Sequence, residues 1–153
     1  MRLLVQEVLN SSVSVGGKTV GSIGRGETVL VGFKKGDDEA IVDRMVAKLL
    51  KLRIFPDGEG KTNKTLADID GEILAVSQFT LYASLKDGNR PSFAWAMNQE
   101  EARPLFEYFQ KKLSSSYPKT AYGIFHADMK VALLNDGPFT VLLDSEELGI
   151  HGK

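Results

Sequence analysis

The side chains that could do chemistry are few, and their spacing narrows what they can do. Cysteine is absent and the histidines are only His126 and His151. Thiolate chemistry, disulfides and histidine-rich metal centres are therefore excluded. Ser77, Thr80 and Ser92 are the candidate nucleophiles, and His126, with Asp128 two residues on, is the only internal base of the right kind. No serine sits in a Gly-x-Ser-x-Gly elbow, so a triad has no local support. Asp68, Asp70, Glu72 and Asp136 carry oxygen ligands without any calcium-loop spacing. Neither a metal nor a cofactor is expected. The run Gly21-Ser22-Ile23-Gly24-Arg25-Gly26 is rich in glycine but precedes a strand pattern instead of opening a helix, so it reads as a turn and not a phosphate cradle.

A second stretch offers backbone chemistry. Asn135-Asp136-Gly137-Pro138-Phe139-Thr140 lies between two apolar runs, Met129 to Leu134 and Phe139 to Leu143. Asp-Gly between two such runs predicts a hairpin turn. Pro138 adds a fixed φ, lacks an N–H and restricts Gly137 before it. Such a pair can hold carbonyl oxygens in an unusual direction, and an X-Pro bond is the common place for a cis peptide.

The elements that would position these groups follow from periodicity. Residues 2–9, Ser12 to Val15, Lys18 to Ile23 and Thr28 to Phe33 read as strands, with Gly16-Gly17 as a two-residue hairpin turn. From Glu39 the apolar residues Val42, Met45, Val46, Leu49 and Leu50 fall on one helical face, with a capping residue at Asp37-Asp38. Glu72 to Ser77 reads as a central strand continuing through Gln78 to Leu81. Asn98 to Glu101 caps a second helix bearing Leu105, Phe106, Phe109 and Leu113, and Pro104 suggests that its regular part begins near that residue. Tyr122 to Phe125 and the two runs around residue 137 complete about seven or eight strands. The expected fold is α+β: a layered β/β/α domain over residues 1–153, with a curved, barrel-like, mostly antiparallel sheet and two main helices.

Charge and hydropathy limit the partners. The net charge is −1, so any nucleic-acid contact must use a local basic patch among scattered residues such as Lys34, Lys35, Lys86 and Arg90. No apolar run approaches the ~18 residues of a membrane span, and no signal peptide is visible at Met1 to Glu7. A cytoplasmic protein without membrane contact is expected.

Two stretches in register, Ser77-Gln78-Phe79-Thr80-Leu81 and Asn135-Asp136-Gly137-Pro138-Phe139-Thr140, resemble the paired signature of the D-aminoacyl-tRNA deacylases. Arg53-Ile54-Phe55, Asn89-Arg90-Pro91-Ser92-Phe93 and Gly123-Ile124-Phe125 with Ala127-Asp128-Met129 extend the similarity from the first strand to Leu143. The resemblance implies a homodimeric editing hydrolase that releases D-amino acids from tRNA and clears glycine mischarged onto alanine tRNA. It implies that Gly137 and Pro138, joined by a cis bond and with Asn135 beside them, enter the pocket of the partner subunit. There their carbonyls meet the substrate ammonium and exclude L side chains. Ser77, Gln78, Phe79 and Thr80 would form the opposite wall and an oxyanion site of backbone amides, Phe125 and Met129 would line the pocket, and the tRNA 2′-hydroxyl would assist catalysis. Thr80 is then a structural threonine and not a nucleophile.

One position departs from the family. Glu7 stands where the family commonly has an arginine that helps to hold the partner subunit's glycine–proline loop, and Arg2 or Arg90 is a candidate replacement. Two rival readings follow from the same residues. One is a non-catalytic dimeric RNA-binding module; the other is a small-molecule esterase using Ser77 or Ser92 with His126.

Overall fold

Both faces of the first strand are covered, and the rest of the chain is arranged to cover them. The computed structural model describes residues 1–153. In β1 (Arg2–Val15), Leu3 and Val5 enter the main core, whereas Val8 and Val13 join a second, smaller cluster. Gly16 and Gly17, both with positive φ (56° and 80°), turn the chain into β2 (Lys18–Ile23), as the two-residue hairpin expectation requires. β3 (Gly26–Gly32) returns along the first half of β1, pairing Arg2 with Gly32 and Val8 with Gly26.

Helix α1 (Glu39–Leu50) begins where its sequence predicts. The Asp38 carboxylate accepts from the Ile41 N–H at 3.0 Å, and Val42, Met45, Val46 and Leu49 are buried against the sheet. A small ribbon of β4 (Phe55–Pro56) and β5 (Thr62–Lys64) leads to β6 (Glu72–Ser77), which runs parallel to β3. Ile73 and Ala75 of β6 face the helices, and Leu74 and Val76 face the second cluster. Cover on both sides is why this segment reads as an unbroken apolar run. Helix α2 (Gln99–Ser116) lays Phe106, Phe109 and Leu113 beside α1. β7 (Thr120–Tyr122) joins β6 in parallel, and β8 (Met129–Asp144) closes the chain against β1.

The sheet order is β2-β1-β3-β6-β7, with β8 on the other side of β1. β2 curls back until a side chain placed at Gly21 would lie 2.9 Å from the Tyr122 carbonyl of β7. The sheet is therefore a nearly closed barrel with both helices on one side, the α+β architecture expected.

Four local expectations change. Residues 129–144 form one strand and not a hairpin: Val15 to Ser11 pair with Met129 to Leu133, and Gln6 to Arg2 pair with Thr140 to Asp144. Between Val8↔Asn135 and Gln6↔Thr140, β8 spends five steps where β1 spends two, so the Asp-Gly-Pro segment is a large bulge. The strand through Ser77 stops there, and Phe79–Tyr82 form a single 3₁₀ turn. α2 starts at Gln99, not near Pro104, because Asn98 caps it by accepting from the Glu101 N–H at 2.9 Å; the proline costs one bond to an exposed carbonyl. β7 ends at Tyr122, leaving Phe125 in the connection to β8.

Candidate active site

Three strands running in the same direction end at one place. At or just beyond the carboxyl ends of β3, β6 and β7 lie Val31 and Phe33, Ser77, and Phe125 respectively. A cavity of about 740 Å³ opens beyond them. Crevices outside the carboxyl ends of parallel strands are favoured ligand sites, since the chain must leave the sheet there. The volume falls in the range of small-molecule sites, roughly 300–1,000 Å³.

Ser77, Gln78, Phe79, Phe125 and Met129 all line this cavity. The Gln78 amide donates to the Val31 carbonyl at 2.7 Å, which extends the β3–β6 pairing and occupies that N–H. The first bond of the following turn runs from the Leu81 N–H to the Gln78 carbonyl. The amides of Phe79 and Thr80 therefore precede it and are not used by the turn itself. The Thr80 hydroxyl is exposed and contacts the Gln78 side-chain amide. Thr80 itself lies outside the cavity wall.

The apolar walls are braced by their neighbours. The Phe79 ring meets Phe93 edge-on at 5.0 Å. Phe125 lies between Phe106, 5.7 Å away, and the Arg103 guanidinium, 4.8 Å above its ring. Arg2 holds the turn from outside: its Nη1 donates to the Leu81 carbonyl at 2.7 Å and its Nε to Asp144 at 2.7 Å. Within its own chain, Arg2 thus ties the Phe79–Tyr82 turn to the end of β8.

His126 lines the same cavity as Ser77 and has a positive φ of 63°. It makes no side-chain hydrogen bond, and Asp128 pairs with Lys130 at 3.0 Å instead. A Ser–His–Asp relay is thus not assembled. No group of three acidic or histidine side chains is placed to hold a metal ion.

Asn135, Gly137 and Pro138 are elsewhere in the chain. Gly137 has φ +126° and its bond to Pro138 is cis, and both residues are exposed at the tip of the β8 bulge. The Asn135 side-chain oxygen Oδ1 accepts from the Phe139 N–H at 2.8 Å, and its side-chain Nδ2 donates to the Thr140 hydroxyl at 2.9 Å. Gln6 donates to the same hydroxyl at 3.3 Å. Asn135 and Gln6 thus clamp the loop from within its own chain. Glu7 is buried beneath the bulge as the cross-strand partner of Glu27. Burial, then Asp136, pushes the Glu7 carboxyl above its ordinary range, with Arg25 opposing. Burial, then Glu7, pushes Glu27 up to about 8.

The bulge and the cavity do not meet within one chain. Val8 pairs with Asn135 on one side and with Gly26, the first residue of β3, on the other. Val31, which walls the cavity, lies five residues further along β3, roughly 16 Å away at strand spacing.

Comparison with known proteins decides the family. Residues 4–144 match the family model described as D-Tyr-tRNA(Tyr) deacylase. A D-aminoacyl-tRNA deacylase of Lactobacillus acidophilus is 51% identical over 144 residues, covering 94% of this chain and 99% of that one. The chain belongs to the D-Tyr-tRNA(Tyr) deacylase family. Another member, from Dechloromonas aromatica, is 50% identical over 147 residues, covering 95% of this chain and 98% of its own. Among solved structures, the "c-Myc DNA Unwinding Element Binding Protein" superposes with a TM-score of 0.90 at 41% identity, covering 95% of this chain and 99% of that one. A "probable eukaryotic D-amino acid tRNA deacylase" shares the fold, with a TM-score of 0.82 at 18% identity.

The structure adds wall residues that sequence reasoning does not assign to a pocket: Lys35, Phe93, Met97, Asn98 and Gln99. Phe93 ends the family-like stretch Asn89 to Phe93, but nothing local marks Lys35 or Met97 as pocket residues.

Proposed function

We propose that this chain hydrolyses the ester between a D-amino acid and the terminal adenosine of tRNA, and also clears glycine from alanine tRNA. The convergence of Ser77, Gln78, Phe79, Phe125 and Met129 on one cavity at the end of the parallel strands carries this reading. The terminal adenosine and its amino acid occupy that cavity. Water adds to the ester carbonyl with help from the neighbouring ribose 2′-hydroxyl. The developing oxyanion is met by the amide of Phe79, and its collapse expels the ribose 3′-oxygen, which takes up a proton. No protein nucleophile is required, in keeping with the unassembled Ser77, His126 and Asp128. Such an enzyme works where aminoacyl-tRNA is used, in the cytoplasm.

The active form in this reading is a homodimer in which Gly137 and Pro138 of one subunit complete the cavity of the other, with Asn135 holding the loop. Their carbonyls receive the ammonium group and their backbone excludes an L side chain, whereas hydrogen or a D side chain points away. The separation of bulge and cavity within one chain supports a second subunit. So does the outer edge of β8, which pairs only with β1 and leaves Leu134 and Leu142 exposed.

Pairing two variants with different defects, one slow and one unselective, tests the arrangement directly. Phe125→Ala disables the cavity, and replacement of Gly137 and Pro138 by two alanines disables the gate. In the isolated mixed dimer the one intact cavity meets the one intact bulge across the interface, so D-tyrosyl-tRNA hydrolysis should proceed with the L ester spared. Failure of either, with mixed dimers formed, would sink the cross-subunit site. Failure of the unaltered chain to cleave D-tyrosyl-tRNA would sink the activity.

A further inference from the structure

A strip of exposed aromatic and basic side chains runs away from the cavity mouth. Residues 93–97 lie beside the extension of β3: the Lys35 N–H donates to the Trp95 carbonyl at 3.1 Å, the Met97 N–H donates to Phe33 at 3.0 Å, and Lys34 bridges to Ala96. Lys35 and Phe93 line the cavity, so Trp95 stands at its rim. Trp95 is 61% exposed and Phe79 50%, large apolar faces turned to water at the entrance.

The same strip is electrically open. Lys35 forms no ion pair, and neither do Lys86 and Arg90 on the adjoining loop, whose base is pinned by reciprocal Ser84–Ser92 bonds of 2.8 Å. Asp87 is the acid within that loop, and Asp128, also on the cavity wall, is paired with Lys130.

Flat aromatic faces beside unpaired cations suit single-stranded nucleic acid. Every base offers a face to stack, and the cations meet its phosphates. Resting on the reading above, a terminal adenosine in the cavity must be followed by unpaired nucleotides that leave over the rim. We propose that these upstream nucleotides of the tRNA 3′ end run along this strip. Trp95 stacks on a base, Lys35 contacts the phosphate at the cavity mouth, and Lys86 and Arg90 meet the backbone further out. Continuity with the cavity and charge complementarity together select this occupant over a second copy of the chain.

Trp95 is the sole tryptophan, so its fluorescence reports the contact without any ester chemistry. The probe is a short RNA hairpin with an unpaired ACCA 3′ end, compared with the same hairpin cut blunt. The overhang should quench Trp95 saturably, with the blunt form at least about fivefold weaker. Lys35→Ala should lower the slope of log affinity against log salt by about 0.7. On D-tyrosyl-tRNA, Trp95→Ala should raise KM about fivefold or more with kcat kept, and Trp95→Phe should recover part of the loss. Turnover of D-tyrosyl-adenosine, which has no upstream nucleotide, should be unchanged.

Equal quenching by the blunt hairpin overturns the proposal, and so does equal slowing of both substrates by Trp95→Ala. Dissociation of a dimer by Trp95→Ala, seen in sedimentation, would make the strip a subunit interface and also overturn it. Overhang-dependent quenching by a chain that cleaves no ester would uphold the strip and reject the deacylase reading alone.

Discussion

The cavity and the β8 bulge are held in opposite ways. The cavity stands at the ends of β3 and β6, interior strands buried on both faces, beside β7, and its aromatic walls are braced by Phe93, Phe106 and Arg103. The bulge projects from an edge strand, and its exposed tip depends on the bonds made by Asn135. Beneath it lie two carboxyl groups, Glu7 and Glu27, where the cavity has apolar side chains. A wall set by the core resists displacement for any substrate, whereas a gate set by a few polar contacts can be altered without disturbing the fold. Changes at the cavity should therefore depress hydrolysis as such, and changes at the bulge should alter the ratio between enantiomers.

The largest effect is expected beneath the bulge. Glu27 is raised from the ordinary 4.5 to about 8 and its Oε1 has no hydrogen-bond partner. Below pH 4.5 both folded and unfolded chains hold this proton, and the favourable contribution is complete. As pH rises towards 8 the unfolded chain has lost the proton while the folded chain keeps it, so stability declines through that window. Glu27→Leu should remove this decline and raise stability near pH 8 on the order of a few kcal/mol, measured by urea unfolding at several pH values. A pH dependence unchanged by the substitution would show that Glu27 is not the group responsible.

At the cavity, Phe125→Ala should lower kcat/KM for D-tyrosyl-tRNA about a hundredfold, because the wall loses a large braced ring. At the bulge, Gly137→Ala should reduce discrimination between D- and L-tyrosyl-tRNA about tenfold while the melting temperature falls by only a few degrees, the cost of about 1–2 kcal/mol of local strain. Its φ of +126° disfavours an L residue, and the added Cβ would lie 3.1 Å from the Phe139 nitrogen. If Gly137→Ala slowed both esters equally and kept their ratio, the contrast between wall and gate would fail. Asn135→Ala should move the ratio in the same direction by a smaller factor, about threefold, through a loosened loop. Smallest of all, His126→Ala should leave single-turnover hydrolysis within about threefold of the unaltered chain, since His126 has no acid or nucleophile bound to it. A loss of several hundredfold would restore the esterase reading.

Elements governed by neighbouring residues are legible in the sequence. The spacing of Val42, Met45, Val46 and Leu49 with a cap at Asp38 defines α1, and Gly16-Gly17 defines a two-residue hairpin. The signature residues Ser77, Gln78, Phe79, Phe125 and Met129 are legible too, as a resemblance, and they do converge. The segment around Gly137 misleads because Asp-Gly-Pro breaks a ladder equally well as a reversal or as a bulge. Gln78 to Leu81 misleads because its apolar residues continue the β6 pattern into a turn.

By itself, then, the sequence determined the helices, the tight hairpin, the apolar faces and the residues able to make a pocket, all consequences of local periodicity and backbone preference. Tertiary structure decided that β8 runs straight on, because β1 offers partners on both sides of the bulge. It also decided that Arg2 braces the Phe79 turn, that Asn135 clamps the loop, and that bulge and cavity lie far apart in one chain. Those outcomes depend on hydrogen bonds and burial between residues distant in sequence, whose geometry no local pattern encodes.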